Sequence, residues 1–497
     1  MSQTATTAMT PKMIYNIYIF EFNLLISYNI IIEHLILKVN NMLDENIFKA
    51  YDIRGVYPDE LNEESAKNIG RAFIKYTRAK TVLVGEDARV STPALRKAIL
   101  SAIQESGANI IFANQLTTPM FYFAVVDSKV DAGIMITASH NPGKYNGFKM
   151  VWGDATPIGE GSGMEEIKKL AIENIEIKKS KNNTPGEITK IDIKEKYIKK
   201  ILSLVRISEI KSMKISVDAG NGMAGIILPR LLKQLPQLNV ENLFFDIDMS
   251  FPNHEANPVK EETLKTLKKS IEQSDAHFGV AYDGDADRIG FLDENGEFIR
   301  SDFIFCAILP KLLSKYPESA ILYDLRCSKI LPEEIKRLGG KPLMTRVGHA
   351  FIKKQLSASN GAGAAELSSH FYFKDFYGVE CSDLMLLYLL IIVSENNKPL
   401  SKIIAPFKKY MQSGEINFEV KNKNKKITEI KNKYGKKTKN YSNIDGIRLE
   451  FEEDGGLWWW FNVRASNTEP LLRLNIEANN KDLLEKKLAE LTEIIEK

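Results

Sequence analysis

Apolar and polar positions follow one another along the chain in a pattern that occurs three times. A short apolar run ends at an aspartate, which is Asp87, Asp218 or Asp324, and a polar loop, an amphipathic stretch and a second apolar run follow it. A strand, a helix and a second strand in this order predict a βαβ unit with parallel strands. The predicted second strands are NIIFAN, NLFFD and KPLMTR. Because the unit recurs at a wide spacing, the pattern predicts three related α/β domains and not one continuous sheet.

The C-terminal part has a different pattern. Short strands such as IRLEF and LWWWFNVRA precede a terminal amphipathic helix, which predicts a small α+β domain. A very basic run at 420–440 comes before these strands, and we interpret it as a solvated helix face and not as a nucleic-acid surface. The run at 178–187 has the composition of a linker, and 293–298 that of a hairpin turn. We therefore expect α/β domains at 42–180, 181–297 and 298–405 and the α+β domain at 412–497.

The first forty residues are apolar and aromatic but carry scattered polar groups, including Glu21, Glu33 and His34. A membrane span needs about 20 largely uncharged residues, and a signal peptide needs a basic start and a small-residue cleavage site. Neither pattern is present in this stretch. We therefore expect residues 1–41 to be a non-native or disordered leader, with the folded protein beginning at Met42.

Composition narrows the class of protein. A hydrophobic content of 44% and a charged content of 26% are typical of a soluble globular chain. The 67 basic and 64 acidic residues leave a net charge of +3, which argues against a nucleic-acid partner. The three cysteines, Cys306, Cys327 and Cys381, form no CxxC pair, so we expect a reduced, cytoplasmic location. Nothing in the sequence indicates a membrane span or an obligatory protein partner.

A serine occupies a loop of small and polar residues in the stretch MITASHNPGKYNGFK. Ser139 follows the apolar run AGIMI, and the turn residues Asn141-Pro142-Gly143 come directly after it. Such a serine is either part of a connecting turn, with its hydroxyl bonded to the backbone, or a reactive group held by a rigid scaffold. This stretch alone leaves both interpretations open.

Three carboxylates lie close together in AYDGDADRIGFLD, at Asp283, Asp285 and Asp287. Carboxylates at this spacing repel one another, and a bound cation offsets the repulsion. Oxygen ligands favour a hard ion, and three carboxylates leave positions of an octahedral Mg²⁺ site open for water or a phosphate. Arg288 follows directly and is placed to hold a phosphate oxygen. The alternative is a solvated acidic turn.

Three further segments carry candidate chemistry. The segment VRASNTEPLLRL combines guanidinium, hydroxyl and amide groups that suit a phosphate dianion, at Arg464, Ser466, Asn467, Thr468 and Arg473. In TRVGHAFIKKQL, His349 lies between a predicted strand and helix, although a lone histidine is more often structural. The segment AELSSHFYFKD offers groups that suit sugar hydroxyls, or else forms the polar face of an edge strand, at Glu366, Ser368 and His370.

Together these groups indicate one reaction class. A loop serine, a carboxylate-bound Mg²⁺ and an arginine-rich phosphate site fit phosphoryl transfer through a phosphoserine. The sequence contains neither a Walker A motif nor GxGxxG, so a nucleotide need not be the donor.

Four motifs carry a resemblance to a known family. TASHNP, DGDADR, AELSSH and RASNTEP, in this order, resemble the four loops of the α-D-phosphohexomutase superfamily, and NIFKAYDIRG and WFNVRASNTEP are most similar to its phosphomannomutase/phosphoglucomutase branch. The resemblance covers 42–497 and implies four domains around a central cleft, three of them alike. It also implies reversible interconversion of hexose 1-phosphate and hexose 6-phosphate, with Mg²⁺ as cofactor and hexose 1,6-bisphosphate as intermediate and activator. The expected partners are small sugar phosphates.

The resemblance also implies a role for each matching residue. Ser139 would be the phosphoserine and a metal ligand together with the three aspartates, Lys149 and His349 would transfer protons, and Arg288 would lie beside the metal. The implied substrate-binding residues are Tyr51, Arg54, Glu366, Ser368, His370, Arg464, Ser466, Asn467, Thr468 and Arg473.

The chain departs from the family pattern at three positions. Ala365 and Ser369 replace the glycines of a sugar loop that usually reads GEMSGH, and Ala465 replaces the proline of RPSNTEP. One alternative is a phosphoglucosamine mutase, whose loops usually read GEQSGH and SGTEP, but Leu367 and Asn467 argue against it. Another is a catalytically silent sugar-phosphate-binding protein, although every group needed for transfer is present.

Overall fold

The computed structural model describes residues 43–173, 184–466 and 471–497. Within it, Asn46–Lys497 forms one compact unit. The predicted leader at 1–41 lies outside the described residues. In the part of the chain that is described, no helix combines the length and apolar character that crossing a bilayer requires.

The first sheet belongs to the segment that carries Ser139. Its strands are β1 (Ile53–Val56), β2 (Thr81–Glu86), β3 (Asn109–Gln115), β4 (Ala132–Ile136), β5 (Tyr145–Trp152) and β6 (Ile188–Lys190). Its helices are α1 (Glu63–Thr77), α2 (Thr92–Glu105), α3 (Thr118–Asp127) and α4 (Met164–Ile172). The strand order is β1-β5-β4-β2-β3-β6, and β5 runs antiparallel to both neighbours. Although β6 follows the predicted border at residue 180, it pairs with β3 of this sheet.

The second sheet carries the three aspartates. Its strands are β7 (Met213–Asp218), β8 (Leu238–Leu243), β9 (Phe278–Tyr282), β10 (Ile289–Leu292) and β11 (Phe298–Ile299). Its helices are α5 (Lys194–Ser203), α6 (Leu228–Leu232) and α7 (Lys265–Ser274). The order is β11-β10-β9-β7-β8, with β7 parallel to β8 and β9. The predicted strand NLFFD is wrong in position, because β8 ends at Leu243 and Phe244 takes a left-handed φ of 54° that turns the chain.

The third sheet carries the predicted sugar loop. Its strands are β12 (Ala320–Asp324), β13 (Lys341–Thr345), β14 (Gly363–Ala365), β15 (Phe371–Phe373) and β16 (Val379–Glu380). Its helices are α8 (Ser301–Lys315), α9 (Ile330–Arg337), α10 (His349–Ser359), α11 (Ser382–Asn396) and α12 (Leu400–Ile404). The order is β13-β12-β14-β15-β16, with β12 parallel to β13 and β14.

The last domain is antiparallel. Its strands are β17 (Met411–Gln412), β18 (Ile416–Glu419), β19 (Asn440–Ser442), β20 (Ile447–Glu453), β21 (Leu457–Ala465) and β22 (Leu471–Ala478). Its helices are α13 (Lys423–Tyr434) and α14 (Lys481–Glu496). The basic run forms α13, which buries Ile430 and Tyr434 and leaves Lys431 and Lys433 exposed. The predicted fold class, three α/β domains and a smaller α+β domain, is confirmed.

One hydrophobic core runs through the first three domains. It is continuous from Phe121 in α3 through Val280 in β9 to Leu386 in α11. The last domain has a core of its own, in which Trp459, Phe451 and Phe461 stack. Continuous apolar burial fixes the first three domains to each other.

A buried carboxyl joins the second and third domains. Asp383, in the first turn of α11, accepts hydrogen bonds from the hydroxyls of Tyr197 at 2.6 Å and Tyr282 at 3.2 Å. Burial raises the pKa of Asp383 to about 6, although both hydroxyls favour the charged form. The folded chain therefore keeps this proton at pH values where the unfolded chain has released it, and stability falls as the pH rises from about 4 to about 6.

We expect Asp383→Asn to remove this part of the pH dependence, since an amide does not titrate and still accepts from the tyrosines. Relative to wild type, the variant should gain about 2 kcal/mol of unfolding free energy between pH 4.5 and pH 7.5. Urea unfolding at the two pH values measures the difference. Parallel pH profiles for the two proteins would contradict the assignment.

Candidate active site

Ser139 lies in a tight loop between β4 and β5. Its backbone takes a left-handed φ of 53°, and its amide donates to Oγ1 of Thr137 at 3.0 Å. The hydroxyl donates to Oδ2 of Asp283 at 3.1 Å, although the two residues are 144 positions apart in sequence. The loop therefore presents one strained, buried serine directly to the carboxylates of the second domain.

Arg89 stabilises the loop of Ser139 and was not among the residues predicted from the sequence. Its guanidinium donates to the backbone carbonyls of Ser139, Asn141, Pro142 and Tyr145 at 2.7–3.0 Å. Its Nε donates to Oδ2 of Asp87 at 3.0 Å, and both side chains are fully buried. One arginine thus holds four backbone carbonyls of the loop at once.

Asp283, Asp285 and Asp287 converge in the loop between β9 and β10. One carboxylate oxygen from each lies within 4.8 Å of the others, and all three side chains are buried. The first domain anchors Asp285, because Thr118 donates to its carbonyl from the amide (2.9 Å) and to its Oδ2 from the hydroxyl (2.7 Å). Oδ1 of Asp285 and Oδ1 of Asp287 are buried without a hydrogen-bond partner among the described residues. Unpartnered carboxylate oxygens that converge in this way fit a hard divalent cation.

Lys149, from β5, supplies positive charge to two of these carboxylates. Its Nζ lies 3.0 Å from Oδ2 of Asp285 and 2.5 Å from Oδ2 of Asp287. Burial alone would lower the pKa of Lys149, but the two carboxylates raise it well above its usual range. Burial alone would also raise the pKa of Asp287, yet the ammonium group holds it well below its usual range. Burial and the two neighbouring carboxylates raise the pKa of Asp283.

Arg288 and His370 form a pair beside the aspartates. Nε of Arg288 donates to Nε2 of His370 at 3.1 Å, and Nδ1 of His370 lies 3.1 Å from the carbonyl of Asp287. Since Arg288 can only donate, Nε2 of His370 accepts and Nδ1 carries the proton. Burial lowers the pKa of His370 to about 3 and Arg288 adds to the effect, so the ring is neutral. His370 therefore connects the third domain to residues 283–288, the loop of the three aspartates (the metal loop).

His349 is the first residue of α10 and is largely buried. Its ring lies 5.3 Å from the ring of Tyr51 and 6.1 Å from that of His370. The hydroxyl of Tyr51, from the first domain, donates to the carbonyl of Val347 at 2.9 Å. A Cβ on Gly348 would come within 2.4 Å of the tyrosine ring, so only glycine permits this contact. The first domain thus packs against the loop that carries His349.

Arg54, the other predicted first-domain residue, contacts the serine loop. Its Nη1 donates to Oδ1 of Asn141 at 2.5 Å, and its Nε and Nη2 donate to Oδ2 of Asp52 at 2.9 and 2.8 Å. Asp52 therefore orients the guanidinium toward the loop of Ser139.

The predicted sugar loop is held closed by its own side chains. Oε1 of Glu366 accepts from the hydroxyl of Ser368 at 2.8 Å, and Oε2 accepts from Tyr372 at 3.0 Å. Ser369, which replaces a glycine of the family pattern, takes a left-handed φ of 70°, and its hydroxyl lies 3.0 Å from that of Ser301. The contact between the hydroxyls of Ser369 and Ser301 compensates for the strain of a non-glycine residue at position 369.

The predicted phosphate loop contributes two arginines that converge on one carboxylate. Oε2 of Glu415 lies 3.3 Å from Nη2 of Arg464, and Oε1 lies 3.1 Å from Nη1 of Arg473. Arg326, from the third domain, also contacts Glu415, at 3.3 Å. Burial alone would raise the pKa of Glu415, but the three guanidinium groups lower it to about 2. The arginines are therefore already arranged around an anionic group.

Two predicted residues of this loop, Asn467 and Thr468, lie outside the described residues. Ser466, the last residue described before them, donates from its amide to the carbonyl of Leu471 at 2.8 Å. Arg326 also lies 3.7 Å from Oε1 of Glu366. Arg326, which was not predicted, thus contacts both Glu366 of the sugar loop and Glu415. Glu415 in turn pairs with the arginines of the phosphate loop.

Arg89 and Arg326 could have been found from the repeat itself. Each follows by two positions an aspartate that ends a predicted strand, as Asp87-Ala88-Arg89 and Asp324-Leu325-Arg326. In both cases the guanidinium pairs with that aspartate, at 3.0 Å and 2.9 Å respectively. Glu415 and Thr118 gave no comparable signal, because their partners are distant in sequence.

Comparison with known proteins gives one consistent result. Four family models match in order, described as phosphoglucomutase/phosphomannomutase, alpha/beta/alpha domains I, II and III and the C-terminal domain. The matched residues are 45–178, 195–296, 300–410 and 415–494.

Similar whole proteins agree with the family models. A phosphomannomutase of Methanocaldococcus jannaschii is 38% identical over 460 residues, which cover 91% of this chain and 98% of the relative. A phosphomannomutase of Vibrio cholerae is 36% identical over 475 residues, covering 92% and 99%. The crystal structure of a phosphoglucomutase/phosphomannomutase family protein from Burkholderia thailandensis superposes with a TM-score of 0.80 at 31% identity, covering 91% of this chain and 97% of that one.

The loop of Ser139 lies so close to Gly284 that a larger residue at position 284 should destabilise the fold. A Cβ at this position would come within 2.4 Å of the carbonyl oxygen of Ser139, which the Arg89 guanidinium holds in place. We expect Gly284→Ala to lower the unfolding free energy by about 1–3 kcal/mol, measured by urea unfolding. Gly435→Ala is the control, because its nearest neighbour is 3.9 Å away, and it should change stability by less than about 0.5 kcal/mol. Equal effects of the two substitutions would contradict the tight contact.

Proposed function

Since the chain belongs to the phosphoglucomutase/phosphomannomutase family, we propose that it moves phosphate between carbon 1 and carbon 6 of a hexose through a phosphorylated Ser139. The family establishes the reaction class: the chain is an isomerase that interconverts hexose phosphates. What we add is the route of the phosphate and the residues that carry it.

One observation supports the covalent route above the others. The hydroxyl of Ser139 lies one hydrogen bond, 3.1 Å, from Asp283 in the cluster of three buried aspartates. A serine held there by a strained loop and by Arg89 is placed to carry a phosphoryl group against a cation site. A serine that only completed a turn would not require this long-range arrangement.

The transfer consists of two matched steps. In the first, the free hydroxyl of a hexose phosphate attacks the phosphorus on Ser139, the bond from phosphorus to the serine oxygen breaks, and a hexose 1,6-bisphosphate forms. The attacking hydroxyl loses a proton and the serine oxygen gains one. In the second step the serine hydroxyl attacks the other phosphate of the bisphosphate, and the bond from that phosphorus to the sugar oxygen breaks. The serine hydroxyl loses a proton, the sugar oxygen gains one, and the isomeric hexose phosphate is released. The same bisphosphate, added externally, acts as an activator by phosphorylating any free serine.

Proton transfer falls to His349 and Lys149 in this proposal. His349 lies next to His370, which contacts the metal loop. Burial lowers the pKa of His349 well below its usual range. A neutral imidazole is suited to accept the proton of the attacking hydroxyl. Lys149 lies against Asp285 and Asp287, where its positive charge faces the transferring group. Arg288 would contact the phosphoryl oxygens from the other side of the aspartates.

The aspartates and Ser139 would hold Mg²⁺, the ion to which oxygen ligands of this number are suited. When bound, this ion supplies positive charge that stabilises the phosphoryl oxygens during transfer.

The proposed substrates are mannose and glucose phosphates, because the relatives named above are phosphomannomutases and a phosphoglucomutase/phosphomannomutase family protein. Glu366 and Ser368 would bind sugar hydroxyls, with His370 near them and with Tyr51 and Arg54 from the first domain. The phosphate that is not reacting would bind the arginines now paired with Glu415, together with the donors of 466–468. We expect the protein to act in the cytoplasm.

The covalent route is tested by the mass of the purified protein and by one substitution. A fraction of wild-type molecules should carry an additional mass of about 80 Da on the peptide that contains Ser139. Ser139→Ala should lose both this mass and turnover, because no other side chain replaces the nucleophile. Ser394→Ala, at a buried serine of α11, is the control and should keep both. Turnover within tenfold of wild type in Ser139→Ala would rule out the phosphoserine route.

The metal assignment has a test that does not depend on turnover. Mg²⁺ at about 100 times its dissociation constant should raise the unfolding free energy of wild type by roughly 2.7 kcal/mol. Asp285→Asn should lose this gain together with activity, since one ligand charge is gone. Asp154→Asn, at an exposed carboxylate, is the control and should keep it. A wild-type unfolding free energy that Mg²⁺ leaves unchanged would contradict the metal site.

A further inference from the structure

Lys353 and Glu380 are buried charged residues that lie near His349 and have no part in the proposed mechanism. His349 and Lys353 are four residues apart in α10, so their side chains lie on one face of the helix. Glu380 ends β16 and contacts both of them. The exposed fractions of these side chains are 9%, 3% and 0% in the order His349, Lys353 and Glu380.

The contacts of Glu380 divide between its two oxygens. Oε2 accepts from Nζ of Lys353 at 2.9 Å, and the same ammonium donates to the hydroxyl of Tyr122 from the first domain, also at 2.9 Å. Oε1 lies 3.4 Å from Nδ1 of His349 and has no hydrogen-bond partner among the described residues. Lys353 therefore fixes the carboxylate, and the other oxygen is left for the imidazole.

An imidazole that accepts a proton must have the correct nitrogen free. Neutral histidine carries one proton, on Nδ1 or on Nε2, and the group facing one nitrogen decides which. A carboxylate can only accept, so Glu380 favours the form with the proton on Nδ1. Nε2, which has no hydrogen-bond partner among the described residues, then keeps its lone pair.

We propose that Glu380 is a positioning residue that fixes the tautomer of His349, and that Lys353 and Tyr122 fix Glu380. The inference rests on the proposed function, in which His349 accepts the proton of the attacking hydroxyl. When the imidazole takes that proton at Nε2, both nitrogens carry hydrogen, and the carboxylate at Nδ1 stabilises the positive ring. Tyr122 makes this arrangement depend on contact between the first and third domains.

The tautomer is measured directly by ¹⁵N NMR of histidine-labelled protein. The chain has six histidines, and the signals of His349 are identified by their loss in His349→Gln. Wild type should show a protonated Nδ1 and an unprotonated Nε2 for this ring. Glu380→Gln replaces the acceptor with an amide that also donates, so the Nδ1–H form should no longer dominate. Its kcat should fall roughly tenfold or more, with KM within about twofold of wild type.

Two comparisons separate positioning from a loss of structure. Glu334→Gln removes another mostly buried carboxylate of the third domain, paired with Arg337 2.6 Å away, and should leave both the His349 signals and kcat unchanged. Adding Glu380→Gln to His349→Gln should lower kcat no further, because the positioned group is already missing. If Glu380→Gln does not fold, Glu380→Asp withdraws the same carboxylate by one methylene and should give the same shift in tautomer.

The outcomes distinguish the inference from the function on which it rests. If Glu380→Gln keeps the Nδ1–H tautomer, or keeps wild-type kcat while His349→Gln is slow, the positioning role is wrong and the proposed function stands. If His349→Gln itself has wild-type kcat, the proton-transfer role of His349 fails first. A further loss of kcat in the double variant would assign Glu380 to structure.

Discussion

Three carboxylates buried side by side, one of them hydrogen-bonded to Ser139, set the constraint that the rest of this structure has to meet. Taking Asp283, Asp285 and Asp287 out of water and placing them side by side is unfavourable on both counts, desolvation and repulsion. Lys149 and Thr118 from the first domain and Arg288 from the second contact these carboxylates, and His370 from the third bonds the carbonyl of Asp287 and accepts from Arg288. The site therefore exists only when these domains are packed together.

The way the domains are joined follows from this constraint. A hydrophobic core continuous through the first three domains provides the rigidity that buried charges need. The fourth domain has a separate core and meets the third through ionic contacts around Glu415. An anion held by ionic contacts can be replaced by another anion, which suits the phosphate-binding role proposed for this domain.

The sequence predicted what is local. Strand, loop and helix follow from apolar periodicity, and the serine loop and the aspartate loop are each contained in a few consecutive residues. The position of β8 was wrong because the left-handed turn at Phe244 is not visible in a run of apolar letters. The sequence pattern also could not show which strands pair with each other. For example, β6 follows the predicted linker but pairs with β3 of the first sheet. Glu380 and Glu415 gave no signal because their importance depends on residues brought near by folding.

Transfer of phosphate from Ser139 to the sugar is the central claim, and one single-turnover measurement tests it most directly. Protein labelled with ³²P on Ser139 is mixed with unlabelled hexose 1-phosphate in Mg²⁺ and quenched within a turnover. The account predicts that label leaves the protein at the rate of catalysis and appears in hexose bisphosphate before it appears in hexose 6-phosphate. Label that remains on Ser139 while hexose 6-phosphate accumulates would contradict it.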